Sequence, residues 1–231
     1  MLFGAHCSGG IKKALEKGEA MGAEAVQLFV QSPRTWRFPD HDPKDLERFR
    51  ERRTELDLPA LVHSLYLVNL AAPDDEIYRK SVDTMRSTVD AACAIDADAV
   101  VFHVGSHQGP GFEAGLERVV PALAEALERC SETTWLCMEN AAGTGDTVGR
   151  SLDELVAVYD AAGRHERLGV FLAHPRFQGL PALLEVPGEG HGPDAEQMRR
   201  LKELYGSATT RGSGRRRGTT AGRPAARGTR G

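Results

Sequence analysis

The sequence has 231 residues, of which 41% are hydrophobic and 27% are charged, so it can bury one substantial core and has the composition of a soluble globular protein. No apolar run approaches the length of a membrane span, and no signal segment follows Met1, so we expect a cytoplasmic protein without a membrane partner. The four cysteines show no CxxC spacing, which argues against a disulfide framework or a thiolate zinc site.

The net charge of −4 is divided unevenly between a long acidic body and a short basic tail. From Gly206 to Gly231 there are seven arginines and no acidic residue, whereas the preceding residues carry 22 basic against 33 acidic side chains, a net charge of −11. An acidic body does not favour nucleic-acid binding, although a cluster of divalent metal ions attracts a phosphate locally. The tail has no hydrophobic periodicity, so we predict a basic, Gly/Arg-rich disordered extension over 206–231, with a phosphate-binding tail as the alternative.

Seven apolar runs that end at turn-forming residues predict the buried strands of a parallel sheet. In chain order they occupy residues 2–7, 25–30, 58–63, 99–103, 135–139, 168–172 and 182–186. Amphipathic stretches between the runs predict helices. In chain order these occupy residues 11–21, 43–56, 75–95, 112–130, 152–162 and 195–205. Asp42, Ser151 and Asp194 are the expected N-caps, and Pro121 is expected to kink or break the fourth helix.

The alternation of strands and helices is that of successive βαβ units, and the first six strand starts are spaced as in a (β/α) barrel. The rhythm changes after Leu168, because the seventh strand follows too soon for a crossover helix to intervene. We therefore predict an α/β fold of the TIM type over residues 1–205. It would be an incomplete barrel of about seven strands, in which one βα unit is missing.

Four of the predicted strands end in a residue that binds divalent metal ions. His63, His103, Glu139 and Glu185 each follow an apolar run, at the end of the sheet where barrels carry their chemistry. A mixed set of imidazole and carboxylate ligands suits zinc (Zn2+) or a similar ion. For any one of these residues, a hydrogen-bonded structural role is the plainer interpretation. Four at equivalent positions favour a shared metal site.

Six segments, taken together, resemble the endonuclease IV family of zinc-dependent apurinic/apyrimidinic DNA repair endonucleases, which have TIM-barrel folds. The segments are residues 4–8 (GAHCS), 31–36 (QSPRTW), 63–70 (HSLYLVNL), 102–107 (FHVGSH), 138–143 (MENAAG) and 184–186 (LEV). Their order and spacing are specific in combination. In that family, three zinc ions share one site.

The resemblance implies that His63, His103 and Glu139 hold the first zinc ion. Glu139 would bridge to the second ion, which Glu185 also binds, so these two glutamates are the implied catalytic residues. The reaction implied is hydrolysis of the phosphodiester 5′ to an abasic site, with bound zinc and with a monomer acting on double-stranded DNA.

A second set of residues is implied to contact the DNA. Arg34, Tyr66 and Leu67 match positions that, in the family, enter the DNA at the damaged nucleotide. Such wedges fit the general physics of opening a duplex.

The sequence departs from the family pattern after Val170. Family members continue into an Asp-Thr-Cys-His motif, a later strand that ends in His, and an Asp-x-His pair, none of which occurs here. The third zinc would lose all its protein ligands and the second would keep Glu139 and Glu185. We therefore expect about one zinc ion per chain and weak or absent cleavage. His174 and His191 stand in no matching motif and are interpreted as loop histidines.

Two other functions fit parts of the same sequence. Metal-dependent sugar or sugar-phosphate isomerases and epimerases also place His and Glu at strand ends, and an acidic body suits a small substrate. Such a pocket does not require the loop residues Arg34, Tyr66 and Leu67. The third interpretation is an inactive DNA-binding remnant, or a product too incomplete to fold, because a missing unit leaves sheet edges unpaired.

Overall fold

A computed structural model describes residues 2–141, 145–170, 181–184, 194–199 and 202. Within these residues, nine strands run in chain order as β1 (Leu2–His6), β2 (Ala25–Leu28), β3 (Ala60–His63), β4 (Ala99–His103), β5 (Gly105–Ser106), β6 (Trp135–Glu139), β7 (Thr147–Val148), β8 (Leu168–Val170) and β9 (Pro181–Leu184). Seven of them form one parallel sheet in the order β8-β6-β4-β3-β2-β1-β9, and β5 pairs with β7 in an antiparallel ribbon.

The helices lie between successive strands, as the βαβ pattern predicted. After a 3-10 turn (Gly10–Lys12), they are α1 (Ala14–Ala20), α2 (Pro43–Leu56), α3 (Asp75–Ala94), α4 (Phe112–Leu127) and α5 (Leu152–Ala161), and residues 195–199 are also helical. The three expected N-caps are confirmed, because the side chains of Asp42, Ser151 and Asp194 each accept a hydrogen bond from a backbone N–H of the following helix. A parallel sheet whose successive strands are joined by helices has the architecture of a TIM-type barrel.

Successive side chains along each strand point to opposite faces of the sheet, so the apolar residues form one layer on each face. Val62, Val100, Phe102 and Leu136 point outward and are completely buried in the large core beneath the helices. The opposite, inner face holds a small cluster in which Leu61, Ala99 and Val101 pack with Cys137. The apolar cluster on the inner face is therefore small, and the side chains at the carboxyl ends of the strands on this face are polar.

One helix prediction needs correction, and for another the structure decides against one of its two expected outcomes. The helix expected over 11–21 is divided into the 3-10 turn and α1. Gly9 and Gly10 precede or begin the turn with positive φ angles of 100° and 61°, and the φ of −132° at Lys13 is not helical, so the two helical segments are separate. Pro121 does not break its helix, since α4 continues from Phe112 to Leu127. Burial of one whole face of α4, which includes Val119 and Leu123, offsets the hydrogen bond that proline removes.

The connection that was predicted to lack a helix, residues 174–181, lies outside the described residues as far as residue 180, and so do the ends of the sixth and seventh predicted strands. Within the described part of the chain, β8 and β9 are the two edges of the sheet. The tail over 206–231 also lies outside it, so the domain boundary near residue 205 stays a prediction. None of the helices that the structure describes has the length and apolar character needed to span a bilayer.

Candidate metal centre

The inner face of the sheet brings polar side chains together at the carboxyl ends of its strands. His63 ends β3, His103 ends β4 and Glu139 ends β6. His103 lies directly beside Glu139 in the register of β4 and β6, and His63 lies beside Val101, two residues before His103. Because side chains alternate along a strand, Val101 and His103 share the inner face, and all three polar residues therefore point to the same side.

Three of the four predicted ligands form a compact cluster. Nε2 of His63 is 3.1 Å from Oε2 of Glu139, and Nε2 of His103 is 3.7 Å from the same oxygen. One ligand atom from each residue lies within 4.8 Å of the others, a spacing that fits a single metal ion. Glu185, the fourth, directly follows Leu184 and lies outside the described residues, as do His174 and His191.

The hydrogen bonds of His63 show whether the cluster suits a cation. Its Nδ1 donates to the carbonyl oxygen of Ser64 at 2.6 Å, so in the neutral ring Nε2 carries a lone pair. That lone pair faces the Glu139 carboxylate, and two acceptors so close together require a proton or a metal ion between them. A backbone carbonyl that fixes the tautomer of a ligating imidazole is a common feature of metal centres. The residues therefore fit a divalent ion.

His103, the third member of the cluster, has fewer hydrogen bonds to orient its ring than His63 has. Its Nε2 faces Glu139, while its buried Nδ1 has no hydrogen-bond partner among the residues that the structure describes. A buried nitrogen without a partner costs free energy, and such groups are concentrated at functional sites. His63 is thus the better positioned of the two imidazoles.

Glu139 is held in its charged form. The hydrogen bond with His63 is the main reason that the pKa of Glu139 lies below the ordinary glutamate value; partial burial acts in the opposite direction, and His103 lowers the pKa further. At neutral pH the cluster therefore presents one carboxylate beside the two histidine rings.

The lowered pKa of Glu139 predicts how stability depends on pH. Because the folded pKa is below the unfolded one, the Glu139–His63 contact contributes stability above the ordinary pKa of 4.5, and this contribution is lost as the pH falls through the lower folded value. Urea unfolding of the metal-free protein should therefore show a steeper acid loss for wild type than for Glu139→Gln. Parallel pH profiles for the two proteins would contradict the assignment.

Aromatic side chains form one wall of the cluster. The ring of Tyr66 lies 5.2 Å from that of His63 and is stacked at 6.4 Å on that of His103. Phe29 lies 5.4 Å from His63 and 5.2 Å from Tyr66. Tyr66 and its neighbour Leu67 are nevertheless 56% and 41% exposed, so they border the mouth of the cluster.

Arg34, the third predicted DNA contact, lies in the loop after β2. No contact within the described part of the chain places it against the cluster, so its role stays a prediction. His6, Gln27 and Phe29 were not singled out from the sequence, although they lie at the same end of the sheet. His6 ends β1 as His63 ends β3, so the same strand-end rule could have found it.

The loop after β4 is shaped by one amide side chain. Asn69 Nδ2 donates to the carbonyl of Ser106 at 2.9 Å, and Asn69 Oδ1 accepts from the Ser106 N–H at 2.8 Å, so the amide pairs with β5 as a strand would. Gly105 makes this approach possible, since its φ is +122° and an added Cβ would lie 2.1 Å from Asn69 Oδ1. The loop beside His103 thus depends on a glycine.

Gly105→Ala should therefore destabilise the protein more than Gly109→Ala. Gly109 has a similar φ of +123° but nothing within 4 Å of an added Cβ, so this control carries the backbone strain without the collision. We expect Gly105→Ala to lower the free energy of unfolding by about 1–3 kcal/mol more than Gly109→Ala, as for overpacked sites. Urea unfolding curves measure the difference, and equal losses would show that Asn69 moves aside freely.

Comparisons with known proteins agree on the fold. The sequence profile described as "Xylose isomerase-like TIM barrel" matches residues 15–175. The protein named "Probable endonuclease 4" from Chloroflexus aurantiacus is 36% identical over 173 residues, which cover 73% of this chain and 60% of that protein. The chain thus spans about 60% of the length of the curated relatives it matches.

Solved structures give the same picture. Endonuclease IV from Thermus thermophilus superimposes with a TM-score of 0.72 at 26% identity, over 90% of this chain and 100% of that one. A D-tagatose 3-epimerase-like protein superimposes with a TM-score of 0.57 at 18% identity, over 74% of this chain and 64% of that one. At such low identity the second likeness shows a shared fold alone.

Proposed function

Because the chain belongs to the xylose isomerase-like TIM-barrel family, in which its named sequence relatives are endonucleases of type 4, we propose that it is a metal-dependent DNA phosphodiesterase of the endonuclease IV type. It binds one zinc ion between His63, His103 and Glu139. It hydrolyses the phosphodiester 5′ to an abasic site in double-stranded DNA, and does so slowly.

The cluster of His63, His103 and Glu139 is the observation that carries this proposal. Three ligand atoms within 4.8 Å of one another meet the minimum protein ligation of a hydrolytic zinc site. The Ser64 carbonyl holds the His63 imidazole with Nε2 available to the ion. Glu139 contributes the negative charge that balances part of the cation.

We assign one role to the residues of the cluster and another to the exposed residues beside it. A bound zinc ion supplies Lewis-acid chemistry to a phosphate oxygen at this position. His63, His103 and Glu139 hold and orient the ion, and Glu185 adds a second carboxylate. The exposed rim formed by Tyr66 and Leu67, with Arg34, contacts the DNA at the damaged nucleotide.

We expect slow cleavage of DNA because this chain has fewer metal-binding residues than the three-zinc site of the family requires. The sequence contains no counterpart of the motifs that, by the resemblance, hold the third ion of the family's site. One ion stabilises less of the charge that develops on the phosphate oxygens than a cluster does. The acidic body also weakens attraction to the DNA backbone, which lowers the affinity for the substrate further.

The direct experiment is incision of an end-labelled duplex that carries one abasic site. Zinc-loaded protein should cleave it, lose the activity on treatment with a chelator, and regain the activity when zinc is restored. Glu139→Gln, prepared in parallel, measures any contaminating nuclease. Incision equal to that of Glu139→Gln would refute the phosphodiesterase proposal.

Two further measurements separate the alternatives. Turnover of a panel of ketoses by the same preparation, without incision of abasic DNA, would instead favour a sugar isomerase or epimerase. A thermal melt tests the interpretation as an unfolded remnant, since a folded metalloprotein should melt cooperatively. At about 100 times its Kd, zinc should stabilise the fold by about 2.7 kcal/mol.

A further inference from the structure

Two cysteines that are distant in the sequence lie side by side at the ends of neighbouring helices. Cys93 is in the last turn of α3, which ends at Ala94, and Cys130 follows α4, which ends at Leu127. Both side chains are half-buried, and both thiols are free. Small molecules in solution can therefore reach this pair, whereas Cys7 is buried in the core.

Hydrogen bonds bring the sulfur of Cys93 to the backbone on both sides of Cys130. Sγ of Cys93 accepts a hydrogen bond from the Ser131 N–H at 3.3 Å and donates to the Arg129 carbonyl oxygen at 3.7 Å. Two covalent bonds separate the Ser131 nitrogen from Cα of Cys130, so this Cα lies within about 6 Å of the Cys93 sulfur. The Cys130 sulfur now donates to the Ala126 carbonyl at 3.6 Å, and rotation about χ1 would carry it toward the sulfur of Cys93.

Contacts on both sides hold Cys130 in this position. Arg129 precedes it, and Nε of Arg129 donates to Oδ1 of Asp90 at 2.8 Å, about one turn before Cys93 on α3. On the other side, Nη1 of Arg167 donates to the Cys130 carbonyl oxygen at 3.5 Å. Because the neighbouring residue is tied to α3, the two thiols are already close together before any bond forms between them, which favours an intramolecular reaction.

The environment of Cys130 indicates which thiol an oxidant meets first. Burial, and secondarily the neighbouring Cys93, raises the pKa of Cys130 to about 11, whereas Arg167 acts in the opposite direction. At neutral pH Cys130 is therefore protonated, and the thiolate is the form that attacks an oxidant. We accordingly expect the first reaction at Cys93, whose sulfur accepts the Ser131 N–H.

We propose that Cys93 and Cys130 are a reversible oxidation site, which a hydroperoxide converts into a disulfide between α3 and the segment after α4. The Cys93 thiolate attacks one peroxide oxygen and becomes a sulfenic acid; the O–O bond breaks, and the other oxygen leaves as hydroxide and takes up the proton that the thiol lost. The Cys130 sulfur then attacks the Cys93 sulfur, the S–O bond breaks, and the hydroxide leaves as water with the Cys130 proton. The two sulfurs lose two electrons to the peroxide, and a dithiol reductant returns them.

The oxidation site lies at the opposite end of the sheet from the metal cluster. The chain runs from Cys93 into the first residue of β4 and from Cys130 into the first residue of β6, so both cysteines lie near the amino ends of strands. These two connections are also joined directly, because Oγ1 of Thr134 donates to the Ala97 carbonyl at 2.8 Å. The inference therefore does not depend on the proposed phosphodiesterase function, and oxidation should leave the zinc stoichiometry unchanged.

Peptide mapping tests the bond directly. The full chain is treated with equimolar hydrogen peroxide, its remaining thiols are alkylated in denaturant, and digests with and without reduction are compared by mass spectrometry. Trypsin alone would leave Cys130 and Cys137 on one peptide, so a second protease that cleaves after Glu132 separates them. We expect a peptide pair that joins Cys93 to Cys130, is lighter by two hydrogen atoms and disappears on reduction. Alkylation of both thiols after peroxide treatment, their oxidation to sulfinic acids, or a bond between a different pair of cysteines would overturn the proposal.

Single-cysteine variants test the order of the two steps. In Cys130→Ser the sulfenic acid has no second thiol to react with, so dimedone, a reagent for sulfenic acids, should label Cys93. Cys93→Ser should show no comparable label at Cys130, and the reverse pattern would overturn the order of attack. Cys137→Ala is the matched control, because Cys137 is also half-buried but packs in the inner cluster with Leu61 and Val101. It should form the same disulfide as wild type, and loss of the bond in this variant would contradict the assigned pair.

The disulfide should also stabilise the folded protein. It closes a loop that includes β4 and α4 and so restricts the unfolded chain, and a native disulfide typically lowers the equilibrium constant of unfolding by about 30-fold or more. Urea unfolding of peroxide-treated wild type should show this shift, whereas peroxide-treated Cys93→Ser should not. A lower urea midpoint for the oxidised wild type than for the reduced protein would show that α3 and α4 cannot accommodate the bond, and would overturn the proposal.

Discussion

Replacing His63 by alanine is expected to abolish stoichiometric zinc binding. The variant loses the imidazole whose Nδ1 is fixed by Ser64, and leaves His103 and Glu139 as the described ligands. Two ligands are too few for a stable zinc site. The loss should exceed the roughly 10- to 100-fold that removal of an outer hydrogen-bond partner costs in metal affinity. Competition with a chromophoric chelator, together with elemental analysis, gives the affinity and the stoichiometry.

His103→Ala should also release the ion, while His165→Ala serves as the matched control. His165 is an exposed histidine in the turn before β8, and its Nδ1 accepts a hydrogen bond from the Arg167 N–H. Its replacement should leave about one zinc per chain. If His63→Ala and His165→Ala bound zinc equally well, the strand-end cluster would not be the metal site. Incision of abasic DNA should follow the metal content of each variant.

Leu67→Ala is expected to reduce the preference for abasic duplex over intact duplex by about 10- to 100-fold, the scale of a few kcal/mol for an apolar wedge between base steps. The side chain is 41% exposed beside the cluster and is not one of its ligands. Zinc content should therefore stay that of wild type. Competition binding with the two duplexes at fixed salt measures the preference.

Tyr66 is a less clean test of the same rim, because its ring packs on His63 and His103. Tyr66→Ala should lower both DNA preference and zinc affinity, whereas Leu67→Ala lowers the first alone. Val156→Ala is the control for loss of an exposed apolar group, since Val156 is 49% exposed on α5. An unchanged preference in Leu67→Ala would remove the rim from the DNA-binding surface.

The predictions that rested on local pattern were largely confirmed. Apolar runs and N-cap residues located the strands and helices, because burial and backbone capping act over a few residues. The position of His63, His103 and Glu139 at strand ends predicted that they lie close together, because parallel strands all end at the same edge of the sheet. The structure places them in one cluster. Of the two outcomes expected at Pro121, a kink or a break, the break does not occur, because the burial of α4, a tertiary effect, opposes the local preference of proline.

The features that the sequence did not reveal depend on pairing between distant residues. Gln27 reaches His6 across 21 positions and Asn69 reaches Ser106 across 37, so neither contact has a periodic signature. The strand β5 has only two residues, too few for alternation to be detected. Such contacts follow from register, which is set by the packing of the whole sheet.

From its amino acids alone, this chain could be interpreted as a barrel with imidazole and carboxylate groups gathered at one end, because hydrophobic alternation is a local property. Whether those groups come within bonding distance, and which ring nitrogen faces the ion, were decided by strand register and by the Ser64 carbonyl. Both depend on atoms that are distant in sequence or on backbone geometry. A pattern of residue types contains neither.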